Sequence, residues 1–241
     1  LGFGEKVHLP ALVSNNKMNA IALWHPREER LKEACEKHRL KGYQDWSKLV
    51  NDPEIDAIIL TTPPEPRFEL AREALLAGKH LLLEKPVALE ATQIADLQRL
   101  AIKNQLSVAV DFEYRAVPLF MQAKKILSEV LLGDLWLIKL DWLTSSRADE
   151  TRPWNWYSLS EKGGGVIGAL GTHAFDLLHW LIGPTTSLGG QISTSIRQRP
   201  SYEDNTLKKV SSEDVALGQL ELSSFNQQAK VPAQVTLSAI A

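Results

Sequence analysis

The segment His80-Leu81-Leu82-Leu83-Glu84-Lys85-Pro86 decides the fold of the first half of this 241-residue chain. Three consecutive leucines read as a short strand. Pro86 lacks a backbone N–H and biases the residue before it toward an extended backbone, so the strand stops at the lysine. Lys85 therefore stands at the carboxyl edge of a predicted parallel strand, where open α/β sheets take their ligands. Outward from this segment the pattern repeats. Upstream, the apolar run 19–24 precedes a helical pattern over 27–38, and Ala57-Ile58-Ile59-Leu60 within 56–61 precedes another over 66–77. Downstream, a helix over 90–103 leads to a strand over 106–111. Short continuous apolar runs separated by helices predict parallel strands with right-handed crossovers, a doubly wound α/β sheet.

The texture changes after Asp111-Phe112-Glu113-Tyr114-Arg115. A helix is expected to about residue 131, a strand over 135–143, a tryptophan-rich loop at Trp154-Asn155-Trp156-Tyr157 and a helix over 172–182. Segments 187–197, 213–222 and 233–240 alternate enough to read as antiparallel strands. The expected organisation is a dinucleotide-binding Rossmann-type domain over 1–112, followed by an α+β domain over 113–241 built on one broad, mainly antiparallel open sheet.

Composition narrows the function. Hydrophobic residues make up 44% and charged residues 23%, with a net charge of −2. These are values of an ordinary globular enzyme. The dispersed basic residues give no footprint for nucleic acid or an anionic membrane. No apolar run is long enough to span a bilayer. Cys35 is the only cysteine, which rules out an internal disulfide and fits a reducing, cytoplasmic setting. Helical spacing turns it inward with Leu31 and Ala34. The histidines show no zinc-ligand spacing, so no metal is expected. The chain starts Leu1-Gly2-Phe3-Gly4 without a methionine, and its last segment reads as a strand in mid-sheet. It is expected to be an internal piece of a longer protein, with the first strand of the sheet upstream of Leu1 and a signal segment there left open.

Several residue sets carry chemistry. Gly2-Phe3-Gly4 before a helical segment suits the close approach of backbone to a pyrophosphate resting on a helix N-terminus; a plain turn is the alternative. At the end of the next strand stands Trp24-His25-Pro26-Arg27, with no carboxylate before Glu28. An acidic residue there favours NAD, whereas an arginine accommodates the NADP phosphate. The reading is NADP rather than NAD, with Arg27 as phosphate ligand and His25 beside it, against Arg27 as the mere start of a solvated helix. Thr61-Thr62-Pro63-Pro64 forms a proline-locked turn at the same edge of the sheet, placed for cofactor contact. The pKa of a partly desolvated Lys85 beside a positively charged nicotinamide is expected to fall, letting it exchange a proton with a substrate hydroxyl. Glu84 either orients that ammonium or accepts backbone hydrogen bonds. In the second half, Gly163-Gly164-Gly165 suits the close approach of backbone to a ligand and leads into the helix bearing His173, with Asp176 three residues on along the same face. His179 reads as structural. Trp154, Trp156 and Tyr157 offer flat faces to a sugar ring, and Arg152 and Asn155 offer hydrogen bonds; packing of the aromatics between domains is the alternative.

Together these residues resemble the Gfo/Idh/MocA oxidoreductases, relatives of glucose–fructose oxidoreductase and inositol dehydrogenase. The matches run from Gly2-Phe3-Gly4 through Thr62-Pro63-Pro64, residues 74–86 ending in Glu84-Lys85-Pro86, and Glu113-Tyr114-Arg115, to the glycine run with His173 and Asp176. The resemblance implies bound NADP or NAD and hydride transfer at a hydroxyl-bearing carbon of a sugar or polyol. It implies Lys85 and His173 as catalytic residues and a cis bond between Lys85 and Pro86, which with Glu84 flank the cofactor. It also implies a homo-oligomer formed through the C-terminal sheet. Arg115, Arg152, Trp154, Asn155 and Asp176 join Lys85 and His173 as candidates for holding substrate. The sequence departs from the family at Ala169, where an aspartate often helps relay the proton, and at Arg67, near a usual histidine. Ala169 opens a second reading, a cofactor-binding regulator or scaffold without turnover. A third is dehydratase or glycosidase chemistry with NAD as a transient oxidant.

Overall fold

In the computed structural model, which describes residues 2–241, the leucine run is the middle strand of a parallel sheet. The chain divides into two units, Leu1–Asp111 and Phe112–Ala241, each with its own apolar core. The first begins with a π-helical turn, Gly4–His8, that runs on into α1 (Leu9–Val13). Strands and helices then alternate: β1 (Ala22–Trp24), α2 (Glu28–His38), β2 (Lys41–Tyr43), α3 (Trp46–Val50), β3 (Ala57–Leu60), α4 (Pro64–Leu76), β4 (His80–Leu83), α5 (Ala91–Lys103) and β5 (Val108–Val110). β1 pairs with β2, and β3, β4 and β5 pair in that order, all in parallel. Ala57 lies opposite His80, and Leu81 opposite Val108. The strand expected upstream of Leu1 lies outside the described residues.

Helical spacing builds the core of this unit. Ala71, Ala74 and Leu75 of α4 share one face and pack with Ile58, Leu60, Leu81 and Leu83 of the sheet. A buried leucine such as Leu75 or Leu83 contributes roughly 1.5–3 kcal/mol. Gln93 reaches back to the N–H of Glu90 (3.2 Å), completing a capping box that fixes the start of α5.

One boundary is corrected here, and two short elements are added. The helix expected over 66–77 starts at Pro64, because a proline without N–H and with fixed φ suits the first helical position. β2 and α3 escaped the sequence reading. β2 is short, largely exposed and centred on Gly42, and α3 has only five residues, although Asp45 caps it by accepting the Ser47 N–H (2.9 Å).

The second unit starts with a 3-10 turn, Glu113–Ala116, and α6 (Pro118–Ser128). The helix ends earlier than expected because Val130 (φ 55°) and Gly133 (φ 69°) turn the chain left-handed. β6 (Ile138–Leu143), the 3-10 turns Trp156–Ser158 and Ser160–Lys162, a π-helical turn Ile167–Gly171 and α7 (Thr172–Leu181) follow. β7 (Thr185–Ser193), β8 (Gln198–Pro200), β9 (Leu207–Lys209), β10 (Val215–Ser223) and β11 (Lys230–Ser238) complete it. The main sheet has the order β6-β11-β10-β7, with β10 antiparallel to both neighbours and β6 parallel to β11. Ala174, Leu178 and Ile182 pack on Leu220, Leu222, Val235 and Leu237 of this sheet. The small hairpin β8–β9 carries too few apolar residues to have announced itself.

Candidate functional site

At the carboxyl edge of the first sheet, chain contacts bring three segments together. The Cα of Gly4 lies so close to β3's end that a Cβ there would stand 2.6 Å from the Thr61 hydroxyl. Gly2 adopts φ 45°, a left-handed conformation that favours glycine. Phe3 is exposed, its ring set T-shaped to the His8 imidazole with centroids 5.5 Å apart. Pro63 caps α4 and Pro64 opens it. The Thr62 hydroxyl is buried without a hydrogen-bond partner. A glycine turn pressed on the strand end and a buried hydroxyl in want of a partner fit a dinucleotide along this edge.

Lys85 follows β4 directly, half-buried, and the Lys85–Pro86 bond is cis, as the resemblance implied. Two groups fix the loop. Arg67, 3% exposed, donates from one Nη to the carbonyls of Glu84 and Pro86 and from the other to the carbonyl of Thr62. Burial lowers the Arg67 pKa to about 10 despite the opposing charge of Glu84. Glu84 accepts the Lys85 N–H on Oε2 (3.2 Å), a backbone contact of the kind read for it.

The other oxygen of Glu84 lies 2.8 Å from Nε2 of His8, whose ring is also 3.6 Å from Asp111. Burial pushes the Glu84 carboxyl up, but His8, Lys85 and Arg67 together hold it below its ordinary range. Burial and the charge of Glu84 push Asp111 up. The donor atoms of His8, Glu84 and Asp111 lie within 4.8 Å of one another, close enough for a shared cation. The direct His8–Glu84 hydrogen bond already supplies the partner an ion would supply. Sequence reasoning missed His8 and the role of Arg67; the only signal for either was its offset from a glycine or proline turn.

His25 and Arg27 form the loop after β1. His25 Nδ1 accepts the Arg27 N–H (3.0 Å), and burial lowers the imidazole's pKa, which favours that acceptor form. The Arg27 guanidinium is exposed at the start of α2.

In the second unit, α7 buries His173 and Asp176 on one face. The imidazole is walled by Trp142 (stacked, centroids 6.0 Å apart) and by the edges of Tyr114 (4.8 Å) and Phe112 (5.9 Å). Glu113 Oε1 stands 3.7 Å from its Nε2, a carboxylate able to exchange a proton with it. Asp176 receives Nε of Arg115 (2.8 Å) and a second bond from Nη2. The two substrate candidates thus hold each other, and the ion pair raises the Arg115 pKa. Arg152 donates to the Ser146 carbonyl, Trp154 Nε1 to the Lys209 carbonyl (2.9 Å), and Asn155 accepts the Tyr157 N–H (3.0 Å). Arg152 and Asn155 thus shape their own loop, and Trp154 ties it to β9. His179 Nε2 lies 2.9 Å from the Thr185 hydroxyl, in keeping with its structural reading.

The glycine run differs from expectation. Its close approach is to protein: a Cβ on Gly164 would collide with the Tyr157 carbonyl and lie 2.8 Å from the Leu159 carbonyl. Gly165 (φ 99°) packs on Glu213, whose Oε1 accepts the Ile167 N–H (2.8 Å). Backbone cannot give way as a flexible side chain can. Gly164→Ala is therefore expected to cost about 2–3 kcal/mol, and an unchanged melting temperature would contradict this packing.

A doubly wound sheet with a glycine turn on one strand end and a lysine braced on the next defines a nucleotide-binding α/β protein. The profile described as "Oxidoreductase family, NAD-binding Rossmann fold" matches residues 1–112, and that of the "GFO/IDH/MocA C-terminal domain" matches residues 120–239. The chain belongs to the Gfo/Idh/MocA oxidoreductase family. An uncharacterized oxidoreductase of Synechocystis is 41% identical over 242 residues, covering 100% of this chain and 64% of the relative. Levoglucosan dehydrogenase of Pseudarthrobacter phenanthrenivorans is 30% identical over 172 residues, 69% of this chain and 44% of the enzyme. The crystal structure of an oxidoreductase domain protein from Kribbella flavida shares the fold, with a TM-score of 0.91 at 23% identity over 100% of this chain and 66% of that one. The chain thus spans less than two thirds of the length of either curated relative. No helix among the described residues is long and apolar enough to cross a membrane.

Proposed function

We propose that the chain carries an NAD(P)-dependent oxidoreductase site acting on a hydroxyl-bearing carbon of a sugar or polyol. The observation that carries this reading is Lys85, held at the carboxyl end of β4 by Arg67 and Glu84 on a loop beside the glycine turn. The nicotinamide, when bound, supplies the hydride acceptor or donor. The chain's residues do the rest. Thr61, Thr62, Pro63, Pro64, Glu84 and Pro86 frame the cofactor edge with Gly2, Phe3 and Gly4. In the oxidative direction the Lys85 amine takes the hydroxyl proton, with His173 as the second proton-handling group and Glu113 as its carboxylate partner. Arg115 and Asp176 act as one bidentate pair at the substrate rather than as two independent ligands. Arg152, Trp154 and Asn155 shape the loop that borders it. The levoglucosan dehydrogenase relative supports a sugar as substrate class. A cytoplasmic, self-associating protein that pairs through its C-terminal sheet belongs to the same proposal.

Titration of the purified protein with NADH and NADPH, followed by nicotinamide fluorescence, tests the reading, with a screen of sugars, polyols and their keto forms. Binding of neither cofactor by folded protein would overturn it. Arg27, exposed beside the β1 end, is assigned to the NADP phosphate. Arg27→Ala is expected to weaken NADPH binding about tenfold, as loss of a charge-assisted contact does, and to leave NADH unchanged. Equal effects on both cofactors would remove Arg27 from this role. Ala169, in the π-helical turn before His173, favours a second reading as a cofactor-binding regulator. Tight cofactor binding without turnover on any substrate of the screen would select it.

A further inference from the structure

We propose that His8 is a positioning residue for Lys85, acting through Glu84. This inference rests on the reading of Lys85 as the proton-transfer group. His8 lies at the end of the π-helical turn that follows the glycine segment, 76 residues from Glu84, and is 9% exposed. Its Nε2 holds Oε1 of the carboxylate (2.8 Å), and the other oxygen holds the Lys85 N–H (3.2 Å). A chain of two hydrogen bonds therefore runs from the helix after the glycine turn to the main chain of the lysine. Arg67 fixes the carbonyls on either side of Lys85 but does not touch its N–H. Glu84 accepts that N–H, and His8 aims Glu84.

The charges around the imidazole bear on how this works. Asp111 stands 3.6 Å from Nε2, the ring edge of Phe3 flanks the imidazole, and Lys85 and Arg67 lie within electrostatic reach of Glu84. With His8 in place, one carboxylate oxygen of Glu84 is committed to the imidazole. Without it, Glu84 turns freely toward the Lys85 ammonium, and a carboxylate that approaches an ammonium favours its charged form. Loss of His8 thus misplaces Lys85 and makes its amine harder to deprotonate. Both effects act on the proton-transfer step rather than on cofactor binding.

The test compares His8→Ala and His8→Gln in the full chain. A glutamine amide donates to Glu84 much as Nε2 does, so it restores position without an ionisable ring. His8→Ala is expected to lower kcat about 10–100-fold, the scale of a misplaced reacting group, and His8→Gln to return it to within about threefold of wild type. The KM for cofactor stays near wild type in both. A second readout needs no turnover: the pH at which Lys85 becomes half-reactive to acetic anhydride, read by mass spectrometry, rises in His8→Ala and returns in His8→Gln. Should His8→Ala fail to fold, His8→Asn, polar but too short to reach Glu84, takes its place. A folded variant lacking this contact, with wild-type kcat and an unmoved labelling midpoint, overturns the inference. Wild-type protein inert toward every substrate overturns the proposed function instead, and the labelling midpoint still decides the role of His8.

Discussion

Lys85→Met is expected to lower kcat by about 10²–10⁴-fold, the range of a positioned general acid or base. That loss equals about 2.7–5.5 kcal/mol of transition-state stabilisation. Methionine keeps the length and apolar stem of lysine and removes only the amine. The loop should keep its shape, because its braces engage main-chain atoms: Arg67 on the carbonyls of Glu84 and Pro86, and Glu84 on the N–H of residue 85. Cofactor affinity should therefore stay within about threefold of wild type, which separates lost chemistry from lost binding. Lys85→Arg is a sharper control. It retains a cation beside Glu84 and Asp111 but cannot give up a proton in the working range, so it should be as inactive as the methionine variant. If Lys85→Arg worked as well as wild type, the lysine would serve as a fixed charge and proton transfer would belong elsewhere. Steady-state rates over pH 6–10, with cofactor affinity measured separately, distinguish these outcomes.

What the sequence showed and what it hid follow from the range of the interactions involved. The parallel strands were legible because burial writes continuous apolar runs, as in Ala57-Ile58-Ile59-Leu60 and Leu81-Leu82-Leu83. β2 was not, because an exposed strand centred on Gly42 needs no such run. Lys85 stood out because Pro86 ends its strand beside it. His8 and Arg67 act on that loop from 76 and 17 or 19 residues away, and no local pattern carries such contacts. The triple glycine was recognised but misassigned: small residues mark a close approach without naming the neighbour, here the backbone at Tyr157 and Leu159. The Asp176 carboxylate was picked out as a substrate ligand on residue type and helix face. The structure shows its bidentate partner, Arg115, which lies 61 residues away in sequence.

Arg67→Ala is expected to be the most destabilising single change near the site. The guanidinium is 3% exposed and serves three main-chain carbonyls, Thr62 at the end of β3 and Glu84 and Pro86 on either side of Lys85. Burial already disfavours its charge, as the pKa of about 10 shows, so the fold tolerates the ion only because these acceptors and the Glu84 carboxylate surround it. Removing the side chain leaves three carbonyls short of a donor and a void between α4 and the loop. Loss of one partner from a buried, hydrogen-bonded charge costs about 3–5 kcal/mol. For a unit of this size that corresponds to a fall of roughly 10–20 °C in melting temperature. Arg67→Lys keeps the charge but presents one ammonium where two separate nitrogens now serve three oxygens, and should recover only part of the loss. Arg67→Met fills most of the volume without donors, so the gap between it and alanine isolates the void from the hydrogen bonds. Calorimetry of the three variants gives the order Ala below Met below Lys below wild type. A melting temperature for Arg67→Met equal to that of wild type would mean that the carbonyls find other donors, and that the lysine loop is held chiefly by Glu84.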